Sequence, residues 1–129
     1  MKSCSGFSLL EAVVALGLVS SVSAAGLAAF GAQLRTSARA RASLEAQALA
    51  EDRLARVRLL PRDEVAHLPD SLRGGRFDGP WERFTWTTKT REVIERDNVF
   101  EVRVDVGWEG GEYNLATRLY RVPRSQATR

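Results

Sequence analysis

The sequence predicts an α+β fold: one long N-terminal helix, transmembrane in its first half and amphipathic in its second, packed on a small antiparallel β-sheet. Three observations predict it. Residues 12–34 carry no charged side chain. From there to residue 60 the apolar residues keep a helical spacing among charged neighbours. Beyond residue 80 the apolar period becomes two.

The charge-free run is about 23 residues long, and roughly 20 suffice to cross a bilayer core as a helix. Its small residues form two stripes at four-residue spacing, Ala24, Ala28 and Ala32 beside Ser21, Ala25 and Ala29, which permit close helix approach. The alternative is a buried helix in a soluble core, which seldom runs this far without charge. After it, Ala38, Ala42, Ala46, Ala50, Leu54, Val57 and Leu60 fall three or four apart, with Arg39, Arg41, Glu45, Glu51, Asp52, Arg53 and Arg56 around them. Pro61 ends the helix, because proline donates no helical hydrogen bond and disfavours helix at the residue before it.

Residues 61–80 hold Pro61, Pro69, Gly74, Gly75, Gly79 and Pro80, which predicts an extended loop with one short helical turn around residues 64–68. Three strands follow. Phe84, Trp86, Thr88 and Thr90 alternate in the first; Phe100, Val102, Val104, Val106 and Trp108 in the second; Tyr113, Leu115, Thr117 and Leu119 in the third. Arg96-Asp97-Asn98 and Glu109-Gly110-Gly111 supply hairpin turns, so an antiparallel meander is expected, its apolar face against the second half of the helix.

At 129 residues there is room for one small domain and an anchor. The net charge is +3 and the pI about 9.6, but acidic residues interleave with the arginines. No long basic block that would grip phosphates occurs, and no nucleic-acid partner is expected. Cys4 is the one cysteine, so the domain gains no disulfide.

Enzyme chemistry is not expected. His67 is the sole histidine, and although Asp70 and Ser71 follow it, triad members converge from separated segments. No phosphate-cradling glycine loop or zinc spacing is present, and no cofactor is expected. Asp63, Asp70 and Asp78 offer carboxylates for a calcium site, at a spacing that is not diagnostic. Trp81, Trp86 and Trp108 are expected as core or subunit-contact residues.

The chemistry-bearing segment is the start, MKSCSGFSLLE. A secretory signal places its apolar region before the cut; here that region follows Gly6, so cleavage there leaves the membrane helix in the mature chain. Glu11 is the lone ionisable side chain ahead of the apolar run. A carboxylate costs roughly 2.5 to 3.5 kcal/mol at the bilayer centre and less near its edge, which implies a partner. A cationic chain end is a suitable one. The local alternative is a capping box, in which Ser8 and Glu11 satisfy free backbone donors at the helix start. Arg35, Arg39 and Arg41 follow the apolar run while Lys2 precedes it, so the positive-inside rule alone would favour the opposite orientation to an exported domain.

GFSLLEAVVALGLVS resembles the signature of the type IV pilin and type II secretion pseudopilin superfamily: a glycine, then phenylalanine, then a glutamate at the fifth mature position, then an apolar helix. The resemblance implies a pilin-like fold with a prepilin leader over residues 1–6, a transmembrane and filament-core helix over residues 7–34, and a periplasmic domain over residues 35–129. It further implies cleavage after Gly6 by a prepilin peptidase, N-methylation of Phe7, and a role for Glu11 in assembly. AQALAEDRLARVRLLP, RFTWTTKT and VRVDVGW look most like the I-type minor pseudopilins. That implies a single-pass protein of the bacterial inner membrane, acting at a pseudopilus tip with J- and K-type minor pseudopilins and the major pseudopilin. The V-type minor pilins of type IV pili share GFSLLE and are the alternative. A small secreted binding domain, cut after Ser23 or Ala24, is a second one; Glu11 argues against it by cancelling the charge of the leader.

Overall fold

The computed structural model describes residues 6–122; Lys2, Cys4 and the rest of the leader before Gly6 lie outside the described residues. Helix α1 runs over Leu9–Arg58, followed by a short α2 over Arg62–Ala66 and then strands β1 (Gly74–Arg76), β2 (Thr85–Glu92), β3 (Val99–Trp108) and β4 (Gly111–Tyr120). The chain divides into two compact units, Met1–Arg39 and Ala40–Arg129.

In the second unit the strands form one antiparallel sheet in the order β1-β2-β3-β4, a meander as expected. Alternation sets its two faces. Phe84, Trp86 and Thr88 point inward from β2 and its approach, and Phe100, Val102, Val104 and Val106 from β3, all 5% exposed or less. Against them α1 presents Ala42, Ala46, Ala50, Leu54 and Val57, the helical positions the sequence singles out. Ala46 and Ala50 are fully buried, and such short side chains let helix and sheet approach closely. Ala38, at the start of that predicted stripe, is exposed, and Leu60 is half-buried.

Polar groups clamp the margins of this core. The Arg53 guanidinium lies 4.1 Å from the Trp86 ring centroid and 4.9 Å from that of Phe77, a stack that each ring strengthens by roughly 0.5 to 2 kcal/mol. Burial pushes the Arg53 guanidinium below its ordinary value, with Arg56 adding to the effect and Asp52 and Asp78 opposing it. Glu45 of α1 pairs with Arg83 just ahead of β2. Arg62 of α2 pairs with Glu92 at 3.3 Å and lies over the Phe100 ring.

The predicted loop over residues 61–80 contains more order than its composition suggests. Its helical turn is α2, and two single 3₁₀ turns, Asp70–Leu72 and Gly79–Trp81, bracket β1. β1 adds a strand to the three expected as a minimum; its three exposed residues, two of them glycine, show no alternation.

Glu109 and Gly110 alone connect β3 to β4, with Trp108 paired to Gly111. Gly110 has φ of +96°, a region open to glycine and costly to any residue with a Cβ. Gly110→Ala should therefore cost about 1–2 kcal/mol, read as a lower urea midpoint with an unchanged slope. A neutral outcome would mean that the turn relaxes into another type.

Candidate functional site: the N-terminal segment

Gly6, Phe7 and Glu11, the residues for which the resemblance implies processing or assembly, stand together at the start of α1. Gly6, Phe7 and Ser8 are non-helical and exposed, and helix begins at Leu9. Ser8 sets that boundary: its Oγ accepts the Glu11 N–H at 3.1 Å and its carbonyl accepts the Ala12 N–H at 3.1 Å. Such a cap stabilises a helix by about 1 kcal/mol.

Only this half of the predicted capping box forms. No hydrogen bond or ion pair engages the Glu11 carboxylate among the described residues. Glu11 contributes its backbone to the cap, and its carboxylate is uncommitted among the described residues. The first-turn position also suits it, since the positive end of the helix dipole favours an anion there.

Gly6 is equally unexplained by packing. A Cβ built there meets nothing within 4 Å, and its backbone is not in the left-handed region. Packing among the described residues therefore does not call for a glycine at this position.

From Leu9 onward the apolar part of α1 is laid open. Phe7, Leu9, Leu10, Leu16, Val22 and Phe30 are 68–84% exposed. The helix is long and apolar enough to cross a membrane, and none of its most apolar stretch is buried. A helix buried in this chain's own core would show the reverse.

Its hydroxyl groups are satisfied internally. Ser20, Ser21 and Ser23 donate to the carbonyls of Leu16, Gly17 and Val19, each at 2.8 Å. Thr36 does the same to Ala32 at 3.1 Å, and Arg35 Nε reaches the Gly31 carbonyl at 3.2 Å. A polar group in hydrocarbon must find its partner within the segment, and these do. Ser21, one of the small-residue stripe, thus also serves its own hydroxyl, and serine's habit of bonding back one helical turn is the sequence signal for all three.

The other singled-out residues do not converge. His67 is exposed, and Asp70 pairs with Arg73 at 3.0 Å. Asp63, Asp70 and Asp78 are not gathered into a metal-binding group among the described residues. Trp86 is core, Trp108 is half-buried with its ring edge against Phe84 at 5.8 Å, and Trp81 is 45% exposed. Neither a protein-family model, nor a curated protein, nor a solved structure matches the chain.

Proposed function

We propose that the chain is a membrane-inserted filament subunit of the pilin superfamily, most like an I-type minor pseudopilin of a type II secretion system. The observation that carries this is one juxtaposition. A glycine without a packing role precedes a capped, wholly exposed apolar helix, and the one acid in its first turn has an uncommitted carboxylate.

In this role a prepilin peptidase cuts after Gly6 and Phe7 becomes an N-methylated, cationic chain end. The apolar half of α1 holds the subunit in the inner membrane and then packs in the filament, where the amine of one Phe7 pairs with Glu11 of a neighbour. Ion pairing between subunits fixes axial register in surroundings that exclude water. The α+β domain faces the periplasm and meets J- and K-type minor subunits and the major pseudopilin. No catalytic step belongs to the protein.

The mass of the protein isolated from membranes tests the core of this. Loss of six residues plus one methyl group is expected, and Gly6→Val should abolish cleavage and retain Met1. A native chain that keeps Met1, or begins beyond residue 20, would remove the basis for the reading. A reporter fused after Arg129 tests the orientation. Co-purification with J- and K-type subunits separates this role from that of a V-type minor pilin, which would not be retained by them.

A further inference from the structure

Strand β1 stops short. It pairs three residues with Thr85, Trp86 and Thr87, whereas β2 continues to Glu92. In an antiparallel ladder the backbone groups of alternate residues face the same side. Thr88 donates its N–H toward β1, to the Arg73 carbonyl at 2.8 Å. Thr90 turns its own N–H and carbonyl the same way, where no strand runs among the described residues and Ala66 of α2 is nearby.

Two clefts flank this vacant edge, and both are lined by Lys89 and Thr90. The outer one, about 500 Å³, adds Arg91, Arg103 and Glu101. The inner one, about 290 Å³, adds His67, Arg73 and Thr88. Thr88 is 3% exposed and its hydroxyl has no partner among the described residues. Successive side chains of an added strand would enter the two clefts in turn.

The charges state what would fit. Lys89 stands directly opposite Arg103 in the register, and like charges so placed are destabilising. Arg103 is held by Asp105 at 3.1 Å and Arg91 by Glu101 at 3.2 Å. No carboxylate among the described residues pairs with Lys89. With Asp105 counted, three cations stand against two acids around the outer cleft, and Lys89 is the cation left without a counter-ion among the described residues.

We propose that the vacant edge of β2 over residues 88–92 takes an extended, acidic segment of a partner protein as an added strand. Its backbone pairs with Thr90, its carboxylates enter the outer cleft beside Lys89, and a hydrogen-bonding side chain reaches the Thr88 hydroxyl on the inner side. This surface belongs to the folded domain alone and is independent of filament assembly.

The test uses the full chain, isotope-labelled in neutral detergent micelles, with an eight-residue peptide of alternating Glu and Thr as probe. Binding is expected, with slowed amide exchange at Thr90 and Glu92. Lys89→Glu should weaken it about fivefold or more, while Arg41→Ser, an exposed cation on α1, should leave it unchanged. The proposal is overturned by equal binding of a Lys-Thr peptide, by protection on the β4 edge instead, or by indifference to Lys89→Glu. Full displacement by inorganic phosphate, or by vesicles of anionic lipid, would likewise overturn it in favour of a simple anion site.

Discussion

Glu11→Gln is expected to yield a protein that inserts, is cleaved after Gly6 and folds normally, yet enters filaments poorly. Glutamine retains the backbone N–H that bonds to Ser8, so the helix start is preserved. It removes only the charge. Leaving a cationic chain end without its counter-ion in an environment that excludes water costs roughly 3 to 5 kcal/mol. Incorporation should therefore fall by about two to three and a half orders of magnitude. Comparing the amount of mature subunit in the membrane with that in sheared filaments reads this directly. Normal incorporation would mean that Glu11 is a helix-start residue and nothing more, and a substitution of Ser8 would then be the more damaging of the two.

The second large effect is expected in the folded domain, from Phe84→Ala. Phe84 is fully buried, meets the Trp108 ring edge-on at 5.8 Å, and lies under the Arg83 guanidinium at 4.8 Å. It enters β2 directly, and its carbonyl accepts the Phe77 N–H at 3.1 Å, holding the β1 loop to the sheet. Removing such a ring costs about 3 to 5 kcal/mol, against a total of about 5 to 15 for a typical domain. Urea unfolding followed by tryptophan fluorescence should show the midpoint falling by roughly a fifth of its value or more, with Phe84→Leu falling much less. A loss under about 1.5 kcal/mol would mean that the surrounding side chains close over the gap.

Much of the fold was legible because its signals are local. Alanines 42, 46 and 50 with Leu54 and Val57 mark the buried stripe of α1, and strict alternation from Phe100 to Trp108 marks β3. β1 was not legible. Its ordering comes from Trp86, whose ring lies 3.4 Å from where a Gly75 Cβ would be, and that neighbour is remote in sequence. The N-terminal motif was equally plain as a string of residues, but not its bonding. A capping box and a free carboxylate are written identically, and only the geometry separates the Ser8 cap from the unused acid of Glu11. The Lys89 and Arg103 juxtaposition is likewise a matter of strand register, which the sequence constrains to a face but not to a partner.

The three serines of the apolar helix bear on how cheaply such a rod can change surroundings. Each hydroxyl proton is already spoken for by a carbonyl one turn back, so in the proposed role a transfer from fatty chains to neighbouring polypeptide would break none of these bonds and leave none of these hydroxyls thirsty. Cargo of this kind travels with its solvation on board. What then decides between the two environments is how well flat sides mate, together with the single ionised group at the leading end.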